Sequence, residues 1–128
     1  MADSSIVGVI KDGKGTFKAS GAIVKGQAVK PHTTEGEWIA CAADGAAKGI
    51  ADEAAASGAY FSVTLLGGAE ALAGAALATP GTWLKSDTNG KLIAVTTNLD
   101  PVVGYSIGIA TAENDMVPVF VIPQLYSA

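Results

Sequence analysis

This 128-residue chain has one histidine and one cysteine, the residue types most readily used as a catalytic base and a catalytic nucleophile. The single histidine, His32, lies between Pro31 and Thr33, a loop context in which nothing would hold the imidazole as a base. The single cysteine, Cys41, follows the apolar run 38–40 and is expected to be a small buried hydrophobe. We therefore expect no catalytic site and no enzyme activity.

The acidic residues form no recognisable metal site. Neighbouring carboxylates lie in polar, turn-rich stretches and are expected to be solvated: Asp52 with Glu53, Glu35 with Glu37, and Glu113 with Asp115. No calcium-loop motif is present, and one histidine and one cysteine cannot form a ligand cluster. All eight basic residues are lysines, whereas phosphate and base recognition favour the planar fork of arginine. We expect no metal, no cofactor and no nucleic-acid partner.

Aromatic rings are the remaining residues that could form a binding site: Trp38, Trp83, Tyr105 and Tyr126. Both tryptophans stand beside aliphatic residues at the starts of predicted strands, so packing in the core is the expectation. The alternative function is a glycan- or receptor-binding β-module, which requires at least one tryptophan to be exposed in a groove.

The composition predicts a small folded domain. Charged residues make up 16% of the chain, which argues against disorder, and 16 glycines favour turns over long helices. No apolar stretch reaches the length of a membrane span and no signal-peptide pattern is visible, so we expect synthesis in a cytoplasm and no membrane partner.

Short, regularly spaced strand patterns predict an all-β fold. Residues 60–65 alternate apolar and polar side chains, and Asp87–Gly90 is a hairpin signal because Asn-Gly accepts the positive φ angles of a two-residue turn. Of the two Ala-rich segments, 51–56 is expected to form at most two helical turns, and 69–73 an extended segment.

An internal repeat with a spacing of about 55 residues is the most informative pattern. It places Gly26 on Gly81, Val29 on Leu84, and the run 38–40 on 93–95. The repeat units are about 20–66 and 75–122, within one β-rich domain spanning 19–128. Two such units are expected to pack as a pseudo-symmetric β-barrel or sandwich.

Two further segments predict contacts with partners. Pro118 lies inside the last predicted strand, so that strand should be an edge or carry a bulge. A neighbouring subunit could cover such an edge, which makes Pro118 and Phe120 candidate subunit-interface residues. The apolar segment 6–10 lies within residues 1–18, which are either an arm that adds a strand to a partner or the first strand of the domain itself.

The run Pro80–Val95, followed by Val102-Val103-Gly104 and a strand ending at Phe120-Val121, resembles the head decoration proteins of lambda-like tailed phages. The chain as a whole resembles the broader family of capsid cement proteins. That family's short glycine motifs have counterparts here at Gly26–Val29, Gly49–Ala51, Gly67–Ala69 and Gly108–Ala110.

The resemblance implies a β-tulip-like or barrel-like fold and homotrimers on the outer surface of the virion capsid. It implies that the protein binds the major capsid protein and clamps adjacent capsomers of the expanded head against the pressure of packaged DNA. The candidate capsid-binding residues are apolar and basic residues near the N-terminus: Ile6, Val7, Val9, Ile10, Lys11, Lys14 and Lys18.

Overall fold

The computed structural model describes residues 13–42, 46–95 and 100–125. The regular secondary structure in these ranges consists entirely of β-strands, which confirms the predicted all-β fold class. The strands are β1 (Lys14–Ala19), β2 (Ala28–Pro31), β3 (Glu37–Ala40), β4 (Gly49–Ala51), β5 (Tyr60–Thr64), β6 (Gly67–Leu72), β7 (Trp83–Ser86), β8 (Leu92–Ala94), β9 (Pro101–Ser106) and β10 (Met116–Leu125). Within the described residues there is no helix long and apolar enough to cross a membrane.

The first half of the chain forms a closed barrel with the strand order β1-β3-β2-β4-β5, in which β1 pairs with both β5 and β3. Alternate residues of a strand face opposite sides, and in β1 and β5 the inward residues include Phe17, Phe61 and Val63. Trp38 of β3 stacks on Phe17 with ring centroids 4.3 Å apart. The barrel is therefore closed around an aromatic core.

The second half forms a five-stranded sheet in the order β6-β10-β9-β7-β8. Its inner face is aliphatic and packs over the outside of the barrel, where Ala28 and Ile50 belong to the same buried cluster. Two main-chain hydrogen bonds fix this joint. The Ala28 N–H donates to the Gly90 carbonyl at 2.7 Å, and the Leu72 N–H donates to the Gly26 carbonyl at 2.9 Å.

The two halves have the same strand order. Read from β3, the barrel runs β3-β2-β4-β5-β1, and the sheet read from β8 runs β8-β7-β9-β10-β6. Equivalent residues lie 54 to 56 positions apart, so the predicted internal repeat is present in the topology. Matching pairs are Val29↔Gly49 with Leu84↔Gly104, Ala19↔Trp38 with Ala73↔Leu92, and Ile23↔Ala55 with Leu77↔Ala110.

One strand of the repeat is shifted relative to the sequence prediction. A constant spacing of 55 places Trp38 on Ile93, whereas the structure matches Trp38 with Leu92. A shift of one residue exchanges the two faces of a strand. Leu92 is buried as Trp38 is, while Ile93 is only half-buried.

The predicted hairpin connects β7 and β8, but its turn is of another type. Only Gly90 of the Asn-Gly pair has a positive φ, at 76°. The Asp87 N–H donates to the Lys91 carbonyl, and the Asp87 carboxylate accepts from the N–H groups of Asn89 and Lys91. A three-residue loop ending in a left-handed glycine therefore replaces the expected two-residue turn.

Of the two alternatives predicted for the strand containing Pro118, an edge position or a bulge, the structure excludes the edge position and shows an irregularity. β10 pairs with β6 on one side and with β9 on the other. The Pro118 carbonyl accepts from the N–H of Ile107, one residue beyond the end of β9, so the proline nitrogen lies where that ladder has already ended. β10 does carry an irregularity, but it falls between Val121 and Gln124.

Candidate functional site

Three aromatic rings lie side by side on the outer side of the second sheet. Trp83 pairs with Tyr105, and Tyr105 pairs with Phe120, across strands β7, β9 and β10. The Trp83 and Tyr105 rings meet edge to face at 5.2 Å, and the Tyr105 and Phe120 rings stack at 5.6 Å. All three residues are half-buried, so each leaves part of its side chain open to solvent.

Apolar residues surround these rings. Along β10, Met116 is 38% exposed and Pro118 is exposed, while the alternate residues Val117, Val119 and Val121 are buried. The strand period of two therefore turns Met116, Pro118 and Phe120 outward together. We define the aromatic face as these three residues with Trp83 and Tyr105.

Charged residues on the same side of the sheet lie at its margins and are paired. Glu70, opposite Pro118 in β6, has its carboxylate 3.9 Å from the ammonium group of Lys25. Lys85, two residues beyond Trp83, forms a 3.0 Å ion pair with Asp100. No residue of the aromatic face is itself charged, so covering it would desolvate no charge within it.

The part of the barrel's outer side around Asp52, away from Ala28 and Ile50, is polar by contrast. The Asp52 carboxylate accepts hydrogen bonds from the Thr64 hydroxyl at 2.7 Å and the Ser62 hydroxyl at 3.1 Å. It also forms a 3.0 Å ion pair with Lys14, whose ammonium group donates to the Thr64 hydroxyl at 3.1 Å. This network satisfies its own polar atoms and offers little apolar area to a partner.

The structure places only part of the predicted capsid-binding set. Lys14 and Lys18 are in β1, within the barrel, and Lys14 is already in an ion pair with Asp52. The other residues of that set lie outside the described residues: Ile6, Val7, Val9, Ile10 and Lys11. Of the predicted subunit-interface residues, both Pro118 and Phe120 belong to the aromatic face.

The two tryptophans have opposite environments. Trp38 is only 8% exposed and packs in the barrel core, as the sequence predicts. Trp83 is half-buried on the outer side of the sheet, so the expectation that both pack in the core fails for this residue. The signal that would have located the aromatic face is the alternation along 116–121, which marks one outward and one inward side of β10.

The structure does not assemble the residues that catalysis would need. His32 is exposed at one end of the β2–β3 hairpin and Cys41 is buried at the other end, so about 13 Å of strand separates them. Burial raises the pKa of the Cys41 thiol, which keeps it protonated at neutral pH. Among the described residues, no three His, Cys, Asp or Glu side chains gather where they could hold a metal ion.

A shallow pocket of about 150 Å³ lies away from the aromatic face, between residues 46–48 and 101–102. Residues 123–124 complete its lining, and the polar side chains of this lining are those of Lys48 and Gln124. Within the described residues, its lining includes no carboxylate, imidazole, hydroxyl or thiol that could act together with the Lys48 amine.

This chain matches known proteins by structure but not by sequence. No family model matches the chain, and no curated protein sequence matches it. Among solved structures, the chain is similar to the N-terminal base of the head fiber protein gp8.5 of bacteriophage phi29, with a TM-score of 0.70 and 16% sequence identity. The similarity covers 90% of this chain and 98% of that one. The chain therefore shares the fold of the phi29 head fiber base.

Proposed function

We propose that this protein is a structural component of a phage head. The observation that carries the proposal is the shared fold with the phi29 head fiber base, which extends over nearly the whole of both chains. The sequence resemblance to capsid decoration proteins leads independently to the same part of a virion. A structural role also needs no catalytic centre, which agrees with the separation of His32 from Cys41.

The finer proposal is that the protein sits on the outer surface of the expanded head and clamps neighbouring capsomers. A small subunit can do this with modest contacts, because copies linked to one another engage several sites at once and gain avidity. The major capsid protein would be the partner, and the segment 6–10 with Lys11, Lys14 and Lys18 is the predicted contact.

Attachment can be tested with heads of the encoding phage prepared without this protein. The purified chain is mixed with expanded and with unexpanded heads, and the bound fraction is measured by co-sedimentation. We expect saturable binding to expanded heads and weaker binding to unexpanded ones. If the chain binds neither expanded nor unexpanded heads, the proposed role as a head component is refuted.

The contact can be tested with a chain that lacks residues 2–12. This boundary leaves Lys14 and the whole of β1 in place, because β1 pairs with both β3 and β5 in the barrel. We expect head binding to be lost while the circular dichroism spectrum is kept. Substitution of Tyr60, which is 60% exposed on the barrel, by alanine is the control and should leave head binding unchanged.

The glycan-binding alternative requires a tryptophan exposed in a groove, and of the two tryptophans only Trp83 is partly exposed. Trp38 is buried, and Trp83 lies on an open sheet face beside Tyr105. Sugar hydroxyl groups require polar partners, whereas Met116, Pro118 and Phe120 supply none. This face fits an apolar protein surface better than a saccharide.

A further inference from the structure

The loop that connects β7 to β8 contains an asparagine that is followed by a glycine. The chain has three asparagines, and the residues that follow them are Gly90, Leu99 and Asp115. The main-chain nitrogen after an asparagine can attack the side-chain amide carbon, and glycine hinders this attack least because it has no Cβ. Asn89 is also exposed to water. The pair Asn89-Gly90 therefore has both the groups and the access for a reaction without an enzyme.

The hydrogen bonds of this loop restrain the attacking nitrogen less than its neighbours. The Asp87 carboxylate accepts from the N–H of Asn89 at 2.8 Å and from the N–H of Lys91 at 3.0 Å. The N–H of Gly90, between them, makes a longer bond of 3.3 Å to the Asp87 carbonyl. A hydrogen bond of this length is weak, so the Gly90 nitrogen loses little when it leaves that bond.

We propose that Asn89 is a modification site, at which the side-chain amide converts to a carboxylate without an enzyme. The Gly90 nitrogen gives its proton to water and forms a bond to Cγ of Asn89. The bond from Cγ to Nδ2 breaks, and Nδ2 leaves as ammonia with a proton from water. A further water molecule opens the resulting cyclic succinimide, so that residue 89 becomes aspartate or isoaspartate. Water is the co-reactant throughout, and nothing is oxidised or reduced.

Residue 89 lies at the joint between the two halves, so its modification has a structural consequence. The Gln27 side-chain amide donates to the Asn89 carbonyl at 2.8 Å, and the Ala28 N–H donates to the Gly90 carbonyl at 2.7 Å. In isoaspartate the main chain runs through Cγ and is longer by one carbon, and the former carbonyl of residue 89 belongs to a free carboxylate. Both hydrogen bonds lose their geometry after that change.

Both products also place a new negative charge beside an existing one. The Asp87 carboxylate is within hydrogen-bond distance of the N–H of residue 89, and the chain already has a net charge of −4. Like charges this close repel each other, so aspartate weakens the loop and isoaspartate, which also displaces the main chain, weakens it more. The modified chain is therefore expected to unfold at a lower temperature than the unmodified chain.

Peptide mapping by mass spectrometry, on the full chain kept in mildly alkaline buffer, measures the conversion at each asparagine. We expect Asn89 to be lost several-fold faster than Asn98 and Asn114, with isoaspartate among the products. The midpoint of thermal unfolding, followed by circular dichroism, should fall as the converted fraction rises. Asn89→Gln, whose longer side chain closes a ring less readily, should keep its midpoint over the same incubation. Asn114→Gln is the matched control and should lose stability as the unaltered chain does.

Two kinds of result would overturn the proposal. Loss of Asn89 no faster than that of Asn98 or Asn114 would remove the site itself. A conversion that leaves the unfolding midpoint unchanged, or an Asn89→Gln chain whose midpoint falls as far as that of the unaltered chain, would remove its consequence for the joint. Asn89→Ser, which also lacks the reacting amide, replaces Asn89→Gln if that variant fails to fold. The proposal concerns the free chain and does not depend on attachment to a head.

Discussion

The two halves of this protein share one strand order but place most of their aromatic rings on opposite sides. In the barrel, Phe17, Trp38 and Phe61 point inward and form the core. In the second sheet, the rings of Trp83, Tyr105 and Phe120 lie outside, while the inner side is filled by valine, leucine and alanine. A repeated topology therefore fixes where the strands lie, but each half can bury or expose its large side chains independently.

The halves also differ in whether their strands form a closed barrel. The barrel closes through a parallel β1–β3 ladder, whereas in the second half the equivalent contact is the single bridge Ala73↔Leu92. The second sheet instead remains open enough to pack its inner side on Ala28 and Ile50 of the barrel. The first half is therefore a self-contained core, and the second half joins that core to an outward, uncharged surface.

The largest expected effect separates the two tryptophans. Trp38→Ala removes a buried ring stacked on Phe17 and should lower the free energy of unfolding by about 3–5 kcal/mol. Trp83→Ala removes a ring that is only half-buried and should cost roughly 1–2 kcal/mol. Urea denaturation at low protein concentration measures both. Equal losses would contradict the assignment of one ring to the core and the other to a surface.

An intermediate effect is expected at the polar network outside the barrel. Asp52→Ala leaves the buried Thr64 hydroxyl without its carboxylate acceptor and should cost about 1–2 kcal/mol in unfolding free energy. In the second half, Glu113 forms an exposed ion pair with Lys91, and Glu113→Ala should cost about 0–1 kcal/mol. If the Glu113 variant loses as much stability as the Asp52 variant, the hydrogen-bonded network of Asp52 contributes no more than an exposed ion pair.

The smallest effect tests the repeat itself. Gly58 and Asn114 both have a positive φ, of 89° and 74°, and their N–H groups donate to the equivalent carbonyls of Ala19 and Ala73. Gly58→Ala should cost about 1 kcal/mol, because alanine is strained in this conformation. Gly58→Asn should lower the free energy of unfolding by less than half as much, since the second half has an asparagine, Asn114, at the equivalent position. Thermal denaturation compares the two variants, and equal losses would argue that the turns are not equivalent.

Much of this fold was predictable from local patterns. The alternation along 60–65 located β5, Asp87–Gly90 located the β7–β8 hairpin, and the glycine spacing located the repeat. The closure of the barrel was not predictable, because it depends on a parallel pairing of β1 with β3 that no local pattern encodes.

The site was harder to predict than the fold. Both tryptophans have aliphatic neighbours in sequence, and only the packing of the second sheet over the barrel decides that Trp83 stays outside. Proline in an inner strand was also misleading, since its missing N–H falls just past the end of β9. Both the exposure of Trp83 and the place of Pro118 in an inner strand depend on tertiary contacts, which the residues adjacent in sequence do not encode.

The most direct test of the account is an electron cryomicroscopy reconstruction of expanded heads that carry this protein. We expect subunit density on the outer surface of the head at regular positions. Heads that show no such density would contradict the proposed role as a head component.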